Sequence, residues 1–176
     1  VLEFLTKTYQ QELGESLISV YLRVSVARNM AIDNISDLDT FALIQPAFAK
    51  QKIRWQTADF QEMTFYAIDE KYPFFCDLEM NLATLDEDFL ASNLAMIVKT
   101  QSLLLFGQDI AKQIENYKAD EKMILNLNWL AGDLSAFFVI KEKYFELKDC
   151  QKIMKVLLRC GFELVLEQVG KFSPDL

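Results

Sequence analysis

The period of apolar and polar positions changes several times along this chain, and the changes divide it into elements. Residues 1–13 place Leu2, Leu5, Tyr9 and Leu13 at helical spacing, with Gly14 set to stop the helix. Residues 16–24 form an almost continuous apolar run of strand length. Ser25-Val26-Ala27-Arg28 then reads as a short helix whose first N–H groups are free to meet an anion. Met30 to Ser36 holds the turn formers Asp33 and Asn34, and a second strand is expected from about Asp37 to Ile44, closed by Pro46. A broad apolar stripe through Phe48, Ile53, Phe60, Met63, Phe65 and Ile68 predicts a helix over 47–69. Pro73 breaks it. Residues 74–82, FFCDLEMNL, alternate as a third strand, with Phe75, Asp77 and Glu79 on one face and Cys76, Leu78 and Met80 on the other.

Beyond residue 82 the pattern reads as helix throughout. Thr84 and Glu87 make a capping box ahead of Phe89, Leu90, Leu94 and Ile97. The short run Leu103–Phe106 ends at Gly107, and helix resumes near Asp109. Asp120 caps a helix carrying Met123, Leu127, Leu130, Leu134 and Phe137, and a last helix spans about Asp149 to Val169, ended by Gly170. The fold class expected is α+β: a small mixed β-sheet with flanking helices over 1–82, then a helical bundle over 83–176.

The chemistry concentrates at Asp37-Leu38-Asp39. Side chains two apart on a strand share a face, so Asp37 and Asp39 present two carboxylates together while Leu38 turns away. Two fixed carboxylates repel unless a cation lies between them, and a hard divalent metal is the usual solution. Metal-assisted transfer of a phosphorylated group is the reaction that most needs such a pair. Ser25 fits a phosphate-binding turn and also a plain helix cap. Arg28 fits a phosphate contact and also a surface pair with Asp33.

The stretch VYLRVSVARNMAIDNISDLDTFALI resembles the signature of the DNA polymerase β-like nucleotidyltransferase superfamily, above all its small bacterial members and aminoglycoside-modifying relatives. That signature is an apolar strand ending in Gly-Ser, a gap of about ten residues, and Asp-apolar-Asp on the next strand. Here Ser25 holds the serine position, eleven residues separate it from Asp37, and Asp37-Leu38-Asp39 completes the pattern. Val24 stands where the signature has glycine, and Asn29 follows Arg28 where small members often have another. The resemblance implies that Asp37 and Asp39 bind Mg²⁺ and that a third acid on a neighbouring strand, Asp77 or else Glu79, joins them and acts as base. It implies that Ser25 and its turn, with Arg28, hold the phosphates of ATP or another NTP. The nucleoside monophosphate would pass to a hydroxyl of an acceptor, a hydroxylated metabolite or aminoglycoside by analogy. The altered turn motivates an alternative, a catalytically weak or inactive homologue that binds a nucleotide or a protein.

Composition narrows the partners. A net charge of −8 argues against a nucleic-acid backbone as main partner. Histidine is absent, which excludes Ser-His and Cys-His nucleophile pairs and His-ligated zinc while leaving carboxylate–metal chemistry open. Cys76, Cys150 and Cys160 have no metal-binding spacing, and their odd number suits a reducing cytoplasm. No apolar run approaches membrane-spanning length and no signal-peptide pattern opens the sequence, so a cytoplasmic protein is expected. The oligomeric state is left open.

Overall fold

The computed structural model describes residues 1–33, 36–50, 55, 58–70, 77–115, 124, 127, 130, 147–165 and 168. Two compact units make up the chain, Val1–Glu115 and Asn116–Leu176. Residue 82, where the change to helix suggests a boundary, falls inside the first of them.

Helix α1, Leu2–Leu13, buries Leu5, Tyr9 and Leu13 and ends at Gly14, whose φ of 51° is costly for any residue with a Cβ. Strand β1, Leu17–Arg23, leads into the short helix α2, Val24–Ala27, and strand β2 follows at Leu38–Ile44. Helix α3, Ala58–Asp69, precedes strand β3, Leu78–Thr84. The short helix α4, Glu87–Leu90, helix α5, Asn93–Gln101, and strand β4, Ser102–Gly107, complete the regular elements of the first unit. The sheet order is β3-β2-β1-β4. β1 runs antiparallel to β2 and β4, whereas β2 and β3 are parallel. A parallel pair needs a long crossover, and the segment containing α3 supplies it. This is the mixed sheet with flanking helices that the α+β reading expects.

The two central strands, β1 and β2, are covered on both faces. Leu38, Ala42 and Ile44 of β2 join Leu5, Tyr9 and Leu13 of α1 with Val20, Leu22, Trp55, Ile68, Leu78, Met80 and Leu82 in one apolar core. Within it Tyr9 stacks on Trp55 at 4.8 Å, the Tyr9 and Thr40 hydroxyls share a 2.9 Å hydrogen bond, and the Trp55 indole N–H donates to the Met80 carbonyl. Phe41, on the opposite face, stacks on Phe89 at 5.9 Å. The Tyr21 hydroxyl accepts from the Ile110 amide at 2.7 Å and ties β1 to the segment after β4.

Several expected boundaries move. Of the helix expected over 47–69, the start is a 3₁₀ turn at Pro46–Phe48, Trp55 is helical and Ala58–Asp69 form α3, while 51–54 and 56–57 lie outside the described residues. The third strand starts later, at Leu78, and residues 74–76 lie outside the described set. Thr84 is not the cap of the next helix, because it stays paired with Ile44 in the parallel ladder. Asp86 caps instead, its carboxylate accepting from the Phe89 amide at 2.8 Å. The run Leu103–Phe106 is not helical either: it belongs to β4 and pairs with β1, so helix does not continue throughout after residue 82. The segment after Asp109 is a 3₁₀ turn, Ile110–Lys112.

In the second unit, helix α6 spans Leu147–Glu163, somewhat earlier than the expected 149–169. It buries Val156, Cys160 and Glu163, and the Glu163 carboxylate accepts the Leu127 amide at 2.9 Å. Most of the remaining bundle expected over 83–176, including the helix placed after Asp120, falls outside the described residues.

Gly107 closes β4 at φ 86°, opposite Ser19, and a Cβ built there would lie 2.0 Å from the Ile18 carbonyl oxygen. Backbone on backbone cannot give way cheaply. Gly107→Ala is therefore expected to lower unfolding stability by roughly 2 kcal/mol or more, read as a lower urea midpoint at unchanged slope.

Candidate functional site

The site grows from the end of β1 and the start of β2. α2 carries Ser25 and leads to Arg28. The Ser25 carbonyl accepts the Met30 amide at 2.8 Å, and the Asn29 amide bonds the Val26 carbonyl at 3.1 Å. Asn29 sits at φ 58°, in the left-handed region. The turn thus demands the conformation that glycine supplies in the resembled signature, and asparagine is among the few side chains that tolerate it. Ser25 is half-buried and Arg28 exposed, and the loop from Met30 onward leads to Asp37, also exposed.

Alternation along β2 then separates two tasks. Leu38 and Thr40 turn into the core against α1, and Asp39 turns to the other face. The parallel register sets Asp39 directly beside Glu79 of β3. On the other flank, Leu22 of β1 pairs with Thr40, so the next residue, Arg23, comes alongside Asp39. The three side chains form a row across three strands. The Arg23 guanidinium Nη2 lies 3.5 Å from Asp39 Oδ1 and 3.4 Å from Glu79 Oε2. Glu79 Oε2 also accepts the Asn81 side-chain amide at 3.1 Å.

The two other predicted acids are placed differently. Asp77 precedes β3, is exposed, and turns its Oδ1 back onto the Leu78 amide at 2.8 Å, while its carbonyl accepts the Leu38 amide at 2.9 Å. It serves the start of the β2–β3 ladder. Asp37 lies just ahead of β2. Among the described residues, no group of three or more Asp, Glu, Cys or His side chains is gathered closely enough to hold a metal ion. The oxygen donors suit a hard divalent cation in kind. In the observed arrangement, the Arg23 guanidinium reaches both Asp39 and Glu79.

Arg23 is the residue of this charged row that the sequence reading passed over. Its signal was present: it is the one charge within the apolar run of β1, at the end that abuts the acidic segment.

Burial is the largest influence on Asp39 and pushes its carboxyl up to about 6, against the opposing pull of Arg23 and with further upward pressure from Glu79. Ionised Asp39 is therefore a burden on the folded chain. Its contribution to stability is complete below its ordinary value near 3.8 and is lost as pH rises through about 6.

No family model and no curated protein matches the sequence. Solved structures do match. A spectinomycin adenyltransferase from Enterococcus faecialis, solved with ATP and spectinomycin, superposes with a TM-score of 0.56 at 13% identity, over 99% of this chain and 78% of that one. A toxin–antitoxin structure with AMP-PNP is similar at a TM-score of 0.45 and 19% identity, over 79% of this chain and 97% of its own. A mutant MntA-HpeT toxin–antitoxin structure gives 0.45 and 18%, over 80% and 98%. The fold of this chain is nucleotidyltransferase-like.

Asp39→Asn removes the ionisation without removing the volume. In metal-free buffer the variant is expected to gain stability relative to wild type as pH rises from 4 to 7, by up to about 2–3 kcal/mol. Urea unfolding across that range measures it; a difference independent of pH would contradict the buried, proton-holding carboxyl.

Proposed function

We propose that this chain binds a nucleoside triphosphate over the Asp37/Asp39 end of the sheet and transfers its nucleoside monophosphate to a hydroxyl of a small-molecule acceptor. The observation that carries the reading is the placement of Asp37-Leu38-Asp39 at the head of β2, after the α2 turn that carries Ser25, in a nucleotidyltransferase-like sheet. The structural neighbour solved with ATP and spectinomycin supports a nucleotide together with a small acceptor. Ser25 and the amides of its turn would hold terminal phosphate oxygens, with Arg28 as a second contact. Asp37 and Asp39, with Asp77 or Glu79 from the neighbouring strand, are the residues that would hold Mg²⁺. That ion, when bound, would neutralise charge on the triphosphate.

In the reaction, the acceptor oxygen forms a bond to the α-phosphorus as the bond to pyrophosphate breaks, and the hydroxyl proton passes to a carboxylate. Glu79 and Asp77 are the acids proposed for that proton. The setting proposed is the cytoplasm. Cys150 and Cys160 are free thiols, and among the described residues no helix is long and apolar enough to cross a membrane.

Two observations favour a second reading, a catalytically weak or inactive homologue acting as a nucleotide- or protein-binding module. Arg23 already neutralises part of the acid row, and Val24 occupies the place of the first glycine of the turn.

Calorimetric titration with ATP separates the two. Magnesium-dependent binding that weakens by about tenfold or more in Asp37→Asn is the expected result. Binding of ATP that ignores both magnesium and the substitution would favour the module, and no ATP binding under either condition would overturn the nucleotide site.

A further inference from the structure

Helix α6 is apolar on two sides, and the broader side faces outward. Its inward side buries Val156, Cys160 and Glu163, the last bonded to the Leu127 amide. Its outward side carries Met154, Leu157 and Leu158, exposed by 55%, 44% and 54%, and the row continues past the helix end in Leu164 and Val165. The Leu164 amide bonds the Cys160 carbonyl at 3.1 Å, which carries the last helical turn on to them. Together these side chains make an apolar patch of roughly 450 Å², the size at which a surface marks an interaction site.

The spacing says what fits the patch. Cys150, Met154, Leu157, Gly161 and Leu164 recur at alternating steps of four and three, the seam of a two-helix coiled coil, with Leu158 and Val165 broadening one side. Gly161 breaks the row of large side chains. A glycine within a helix is less stable than alanine, and nothing inside the chain requires it: a Cβ built there meets no atom within 4 Å. Laid antiparallel on a second α6, with Leu157 of each copy against Leu158 of the other, the seam sets Met154 over Gly161 at both ends, a long side chain over an empty place. We propose that the outward face of α6 is a homodimer seam, in which two copies of this chain pair antiparallel and Met154 of each fills the gap at Gly161 of the other. The proposal is independent of the nucleotide reading.

Charge favours a second copy over a different partner. Within Leu147–Glu163 every Lys, Arg, Asp and Glu falls outside the seam positions and the two positions that flank them. Those flanking positions are where coiled coils carry the charges that select a foreign helix or refuse a like one. Here they are uncharged, so two copies of a chain of net charge −8 meet along α6 without apposed acids. Two such patches buried on one another, with the residues around them, approach the roughly 1,200 Å² at the lower end of stable interfaces.

The test is sedimentation of the full chain between about 1 and 100 µM. A monomer–dimer equilibrium is expected, tightening about threefold or more between roughly 0.05 and 0.5 M salt as screening relieves the repulsion between two acidic copies. Gly161→Leu is expected to weaken the dimer about tenfold or more by overfilling the gap, while the monomer keeps its helix content because its own chain offers no clash. Leu157→Asn is expected to weaken it by a similar factor, and Leu158→Asn replaces that variant, with the same expectation, should circular dichroism show it unfolded. A monomer at every concentration would overturn the proposal. So would a dimer that these substitutions leave unchanged, or one that loosens as salt is added.

Discussion

The parallel pairing of β2 with β3 is the constraint on which the candidate site depends. It aligns Asp39 with Glu79 strand against strand, and the antiparallel pairing with β1 brings Arg23 to the opposite flank of the same carboxylate. A slip of one residue in either pairing would turn an acid into the core and an apolar side chain out of it. The register is secured from behind. Leu38, Ala42 and Ile44 are held in the α1 core, and Thr40 bonds both the Tyr9 hydroxyl and the Glu79 carbonyl. The charged row is thus fixed by the apolar face beneath it and not by attraction among its own members.

That arrangement has an energetic consequence. Asp39 is largely enclosed, and its contact with the Arg23 guanidinium is long, at 3.5 Å, so it offsets the desolvation of the carboxylate only in part. Its proton affinity rises accordingly. A site that destabilises the empty protein gains from any cationic ligand that completes it, and functional sites commonly store free energy in this form. The burden falls on Asp39 because β2 is a central strand, buried along most of its length.

Much of this was legible in the sequence, and the failures have physical causes. The strand, turn and strand over 17–44 follow from local periodicity and turn chemistry, and Asp37 and Asp39 stand out because an alternating strand rarely places two acids on one side. Asn29 was read as a departure from glycine, but its left-handed backbone preserves what glycine would provide there. Arg23 went unremarked because its importance arises only across strands: nothing local says that the end of β1 will lie beside Asp39. Asp77 and Glu79 could not be separated, since both share one face and only the parallel register sets Glu79 next to Asp39. The four apolar residues Leu103–Phe106, before Gly107, were absorbed into a helical region because a run that short carries no decisive period. Pairing with β1 settled it as a strand.

The central claim is that Asp39 occupies a seat where dehydration outweighs the adjacent guanidinium. Carboxyl-carbon NMR on protein labelled at aspartate reads this directly, residue by residue, with Asp39→Asn identifying the resonance. A titration midpoint near 6 for Asp39 is the predicted result. A midpoint at or below the ordinary value of 3.8 would mean that Arg23 dominates a well-hydrated pair, and would contradict the account.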